Sequence, residues 1–386
     1  MDFPTLSRRR WLQLSGGTLL AGALGSRLGG QATATNPNTP AAAPDAGLIA
    51  RYPDLKYINL AGNENPHGPS RRVVQAIFNA TPESCRYPWR EESILRDDIA
   101  ALEGVQRENI VLGNGCDEIL GLTGFAYGHP GATLIATEPT YLWLMECAEK
   151  MGAHVEWIPH RESDMKHDLA AMEAKVDSAT SLVYVCNPDT PSGTRHGPAE
   201  IEGFIRRVTP GTTVFLDEVY LDLDDEFRQQ TMVPLVKEGL PVIIGRSFSK
   251  MHGLAGHRLG YAITTPEIAK RLEHFKMSSP NWLGVAAARV SLRDDSFHQL
   301  SRRLIREERT RYTQLLDELG LRYTPSHGNF VFHEIKMPIR DYEAAMKEEG
   351  LLIGRPFPPY EDWCRTSMGN RREMDQCERA MRKIFG

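Results

Sequence analysis

Short apolar runs rich in β-branched residues recur along the chain at positions 109–112, 133–137, 181–186, 212–216, 242–245 and 260–264. Runs this short, with no polar alternation, predict strands buried on both faces. Between them lie longer stretches with helical spacing, at 117–127, 141–151, 168–174 and 199–208. That alternation predicts an α/β fold, with a mostly parallel sheet covered by helices. After about residue 281 the texture changes. A long helical stretch at 286–319, with a candidate break at 293–295, precedes a strand at 329–333 and a helix at 340–349. The change predicts a smaller α+β domain over 285–386, after a large domain over 85–284. Residues 35–84 are expected to be a linker and an N-terminal arm that joins the small domain.

The first residues follow another pattern. Arg8-Arg9-Arg10 precedes a weakly apolar stretch at 14–25, and Ala32-Thr33-Ala34 then supplies small residues for cleavage. A charged start, a short apolar segment and a small-residue cleavage site describe an export signal of the twin-arginine type. The expectation is that residues 1–34 direct the chain to the periplasm through the twin-arginine machinery. Residues 35–46 are rich in Pro, Ala and Asn and predict a flexible linker.

Composition narrows the function classes. The 386 residues are 41% hydrophobic and 25% charged, with a formal net charge of −5, which suits a globular chain and gives no basic excess for nucleic acid. The six cysteines are scattered without a Cys-x-x-Cys pair, so neither a zinc site nor a disulfide framework is expected, and no metal site is assigned. No apolar run is long enough to span a bilayer.

Candidate chemistry gathers where the strands end, which is where ligands bind in open α/β sheets. After 110–112 comes Gly113-Asn114-Gly115-Cys116-Asp117-Glu118, a loop that opens a helix and suits an anion. After 182–186 comes Asn187-Pro188-Asp189-Thr190-Pro191-Ser192-Gly193, a turn stiffened by prolines. Asp217 ends the run 214–216, and a carboxylate there needs a cation or donors. After 242–245 comes Arg246-Ser247-Phe248-Ser249-Lys250, then Gly253-Leu254-Ala255-Gly256-His257-Arg258. A lysine among small hydroxyl residues is a candidate nucleophile. Taken singly, these remain compatible with a plain turn, a rigid turn, a salt bridge and a surface charge.

Their fixed order resembles the fold-type I pyridoxal-phosphate enzymes of the class I/II aminotransferase family, and in particular the histidinol-phosphate aminotransferase branch. The resemblance runs from about residue 58 to 369. It also includes Asn63-Glu64-Asn65-Pro66-His67-Gly68-Pro69-Ser70, Arg86-Tyr87-Pro88 and Cys364-Arg365-Thr366-Ser367-Met368-Gly369. It implies pyridoxal 5′-phosphate as cofactor and a ping-pong transfer of an amino group from an L-amino acid, or a histidinol phosphate-like amine, to a 2-oxo acid. By the resemblance, Lys250 bonds the cofactor and then moves the substrate proton, and Asp217 faces the ring nitrogen. Asn187 and Tyr220 bond the 3′ oxygen, and Tyr141 stacks on the ring. Ser247, Ser249, Arg258 and the backbone at Gly115, Cys116 and Asp117 hold the phosphate. Tyr87 reaches the phosphate of a neighbouring subunit, which implies a homodimer. Arg365, helped by Asn63, clamps the substrate carboxylate, and Arg355 matches an arginine that meets a distal phosphate.

Some positions depart from the pattern. Cys116 stands where serine or alanine is common, Asp189-Thr190-Pro191-Ser192 replaces Asn-Asn-Pro-Thr, and His257 replaces an apolar residue. Tyr52 is left as a candidate substrate contact. An export signal fits poorly with cytoplasmic histidine synthesis, so the substrate need not be histidinol phosphate. A lyase, decarboxylase or oxidase on the same scaffold, and a non-catalytic cofactor-binding protein, stay open on sequence.

Overall fold

A computed structural model describes residues 57–386. The expected export signal, the 35–46 linker and Tyr52 lie outside the described residues. The chain forms an α/β fold around a seven-stranded sheet. Its strands are β2 (Ile110–Gly113), β3 (Thr133–Glu138), β4 (His154–Pro159), β5 (Thr180–Cys186), β6 (Thr213–Asp217), β7 (Val242–Ser247) and β8 (Gly260–Ile263). The order is β2-β8-β7-β6-β5-β3-β4. Only β8 runs antiparallel to its neighbours.

The uninterrupted apolar runs have a direct cause in this architecture. Along β5, Val183 and Val185 enter one core while Leu182, Tyr184 and Cys186 enter the other. Successive side chains of a strand point to opposite faces, so a sheet covered on both sides needs apolar residues at every position. The first core is completed by helices such as Trp89–Glu103, Pro198–Val208 and Trp282–Ser291. The second is completed by Cys116–Tyr127, Trp143–Lys150 and Pro266–Glu273.

β4 was not expected from the sequence. It is an edge strand paired only with β3, and its exposed His154 and half-buried Glu156 interrupt the apolar run. The helical stretch expected over 286–319 is two helices, Trp282–Ser291 and Asp295–Glu318. The break falls at Asp294, whose carboxylate accepts the Phe297 N–H and so caps the second helix.

A separate apolar cluster lies around the C-terminal part of the chain. It draws on Tyr312, Leu315 and Leu316 of the Asp295–Glu318 helix, on Tyr342 and Met346, and on Met374, Cys377 and Met381 of the Arg371–Phe385 helix. β9 (Phe330–Glu334) pairs antiparallel with β11 (Trp363–Ser367). β1 (Ile58–Asn59) pairs parallel with β10 (Leu351–Leu352), which ties residues before the sheet to this cluster. Among the described residues, no helix is long and apolar enough to cross a membrane.

Candidate active site

A cavity of about 400 Å³ opens at the carboxyl ends of the central strands. Its walls bring together Lys250, Asp217, Tyr220, Ser247, Ser249, Arg258, Cys116, Asp117 and Tyr141 from the residues singled out in the sequence. β6 delivers Asp217, β7 delivers Ser247, and the loop after β7 carries Ser249, Lys250 and Arg258.

One end of the cavity is built for an anion. The helix Cys116–Tyr127 begins there, with Gly115 before it at φ +82°. Its first N–H groups have no partner within the helix and carry the positive end of the helix dipole. Arg258, itself at φ +50°, sends Nη2 to Asp117 Oδ2 at 2.6 Å, and Tyr141 Oη donates to Asp117 Oδ1 at 2.9 Å. A side chain at residue 115 would place its Cβ 2.3 Å from Arg258 Nη2. Glycine there is what lets the guanidinium close over the helix start. Burial, with Asp117 as the next contributor, pushes the Tyr141 hydroxyl pKa well up, so this ring stays neutral.

The other end is built for a cation. Asp217 is almost fully buried, accepts from Tyr184 Oη at 3.0 Å and from the Val219 N–H at 3.2 Å, and has no salt-bridge partner among the described residues. Burial raises its pKa to about 7, against the pull of those two donors. A cationic ring nitrogen beside it would reverse that shift. Lys250 Nζ lies 3.4 Å from the Gly62 carbonyl and 5.4 Å from the Tyr220 ring centre. Anion cradle, lysine and unpaired buried carboxylate on one cavity fit a phosphorylated pyridine cofactor.

Other expected residues stand just behind this wall. Asn63, also at positive φ, donates from Nδ2 to Tyr220 Oη at 3.0 Å and is held by Ser367. Arg365 donates to Thr190 Oγ1 and to the Ala61 carbonyl, each at 2.9 Å, while its Nε is buried without a partner. No carboxylate pairs with it among the described residues, and burial is the chief cause of its lowered pKa. Arg355 is exposed and packs 4.4 Å from the centre of the Phe357 ring.

One placement differs from its expected role. The Asn187 side chain does not line the cavity; its amide is closed onto the His196 backbone, accepting at 2.8 Å and donating at 3.3 Å. Tyr87 is 75% exposed and stacks on Trp89 at 5.3 Å, away from this chain's own cavity. Sequence reasoning also passed over wall residues Gly62, Glu64, Cys186, Thr190 and Val219. Cys186 and Thr190 flank the Asn-Pro turn, so position after a strand was an available signal for both. Tyr184, which holds Asp217, sits inside an apolar strand and gave none.

The model of the family "Aminotransferase class I and II" matches residues 56–384. The chain belongs to this family. A histidinol-phosphate aminotransferase of Moorella thermoacetica is 36% identical over 332 residues, covering 85% of each chain. A solved Erwinia carotovora atroseptica structure has a TM-score of 0.82 at 32% identity, covering 85% of this chain and 95% of that one. The histidinol-phosphate aminotransferase of Sinorhizobium meliloti, solved in complex with pyridoxal-5′-phosphate, has a TM-score of 0.78 at 26% identity and covers 85% and 90%. The protein is thus a pyridoxal-phosphate-dependent aminotransferase, of fold type I.

Proposed function

We propose that this aminotransferase takes the amino group of an L-amino acid and passes it to a 2-oxo acid in two half-reactions on one site. The observation that carries the reading is the meeting of Lys250, Asp217 and the Arg258 cradle on one cavity, with the Arg365 guanidinium, which pairs with no carboxylate among the described residues, behind it. When bound, pyridoxal phosphate supplies the electron sink that makes an α-proton removable. Arg258, Ser247, Ser249 and the backbone at Gly115, Cys116 and Asp117 hold its phosphate, and Asp217, as a carboxylate, keeps its ring nitrogen protonated. Tyr141 covers the ring, and Tyr220, steadied by Asn63, meets its hydroxyl side. Lys250 would hold the cofactor, and its free amine would take the donor's α-proton as general base. Arg365 fixes the donor carboxylate in a bidentate pair, and Arg355 meets the distal part of the donor.

The working form is a homodimer in which Tyr87 enters the partner's site; its exposure alongside Trp89 supports this. The arginines at 8–10 and the small residues at 32–34 support twin-arginine export to the periplasm. Cell fractionation of the native chain and of an Arg8→Lys/Arg9→Lys variant tests the latter.

Titration of the purified protein with L-amino acids and histidinol phosphate, followed by visible absorbance, tests the chemistry. One donor should convert the cofactor band, and a 2-oxo acid should restore it. Oxygen uptake or carbon dioxide release without that return overturns the proposal.

A further inference from the structure

Beside the cavity, the ends of β4 and β5 converge on the segment between them. His160 follows β4, Asp189 follows β5, and His167 lies in the connection, all three buried. Their ligand atoms lie within 4.8 Å of one another. His160 Nε2 is 3.1 Å from Asp189 Oδ2. His167 Nε2 is 3.3 Å from Asp189 Oδ1 and 2.9 Å from the Cys186 carbonyl oxygen. A tetrahedral ion with bonds of about 2.0–2.1 Å spaces its ligands by about 3.3 Å, so the 2.9 Å pair must open slightly and the widest, within 4.8 Å, must close by up to about 1.5 Å.

Hydrogen bonding leaves a place in this cluster. Asp189 Oδ2 takes the Ser192 hydroxyl at 2.6 Å, the Ser192 N–H at 3.3 Å and His160, whereas the buried Oδ1 has no hydrogen bond. Among the described residues, no lysine or arginine pairs with Asp189, so the two imidazoles are the only groups beside it that can carry positive charge. His167 Nδ1 lies 2.6 Å from Thr137 Oγ1, which fixes the ring from behind and turns Nε2 toward Asp189. That arrangement is how outer hydrogen bonds orient a metal-binding imidazole. His160 Nδ1 has no partner with or without an ion, so it does not discriminate.

We propose that His160 Nε2, His167 Nε2 and Asp189 Oδ1 bind a divalent transition-metal ion, with the Cys186 carbonyl as fourth ligand. With the Cys186 carbonyl closing the fourth position no site is left open for substrate, so the ion, here taken as zinc, has a structural role. The ion ties the ends of β4 and β5 together. Through the neighbouring Thr190 it steadies Arg365, which donates to the Thr190 hydroxyl. The ligands come from three places in the chain and include no cysteine side chain, so cysteine spacing does not announce them.

The test is the metal content of the purified holoprotein, by elemental analysis after dialysis, then zinc and cobalt(II) titration of chelator-treated protein. About one zinc per chain should be retained, and cobalt should bind at one equivalent with the intense visible bands of a tetrahedral site. His160→Gln and Asp189→Asn should lose the metal while keeping the cofactor's visible band, and Thr137→Val should weaken binding by about 10–100-fold. If the unmodified protein holds no zinc and takes up neither ion saturably, the site is a hydrogen-bonded histidine–aspartate cluster and the proposal fails, whether or not the variants fold. Equal metal retention by the variants overturns it too. The readout is bound metal, so the result is independent of which amine the enzyme accepts.

Discussion

Asp217 offers a quantitative check on the cation-shaped end of the cavity. In the cofactor-free protein its pKa is raised from 3.8 to about 7, chiefly by burial. A raised folded-state pKa means that the native protein holds the proton more tightly than the unfolded chain does. The resulting stabilisation is complete below pH 3.8 and is lost as pH rises to about 7. The shift of about three units corresponds to about 4 kcal/mol at 1.36 kcal/mol per unit. Asp217→Asn removes this cost and keeps the shape. Both contacts survive: the amide oxygen accepts the Val219 N–H and the amide nitrogen donates to Tyr184 Oη. The cofactor-stripped variant should therefore be more stable than the parent by about 4 kcal/mol at pH 8, and about equal to it near pH 3.5. Urea unfolding across that pH range measures both. Asp222, also raised to about 7, titrates in both proteins and cancels in the difference. The loaded variant should bind cofactor more weakly and lose most of its activity. A stability difference that stays flat with pH would refute the reasoning, because Asp217 would then be charged and satisfied without the cofactor.

Three other substitutions probe separate parts of the site. Lys250→Ala should lower kcat by at least about 10²–10⁴-fold while phosphate contacts retain the cofactor, measured by stopped assays and absorbance. Arg365→Lys removes the fork that donates to Thr190 and Ala61. It should raise KM for carboxylate-bearing donors by about 10–100-fold, with a smaller effect on kcat, because a lysine cannot pair bidentately. Gly115→Ala sets a Cβ against Arg258 at a positive φ. It should abolish tight cofactor binding in an equilibrium dialysis assay, with near-parental far-UV circular dichroism.

Much of this architecture is written in local sequence, because burial on both faces of a covered sheet leaves continuous apolar runs. The runs at 181–186, 212–216 and 242–245 announce the central strands for that reason. The chemistry that follows each run is legible because a parallel sheet sends successive strand ends to the same edge. Lys250, Asp217, Ser247, Ser249 and Arg258 meet there although they come from the ends of two strands and the loop that follows one of them.

Pattern fails where an element is half-exposed or a contact is distant. The edge strand His154–Pro159 alternates with polar residues, and only its pairing with β3 makes it a strand. The break at Asp294 depends on one carboxylate reaching one N–H. The break itself is expected at 293–295 from sequence, and the structure adds this capping contact.

By itself, the amino-acid sequence determined the central strands, the order of the motifs and the reacting groups at their ends, since these depend on burial and on neighbours along the chain. Tertiary structure alone decided that Asn187 closes onto His196, that Arg365 reaches Thr190 and that His160, His167 and Asp189 share one buried space. Such pairings follow from how strands and loops are brought side by side, and hydrogen-bond geometry resolves them over distances much shorter than the width of a single residue's choices along the chain.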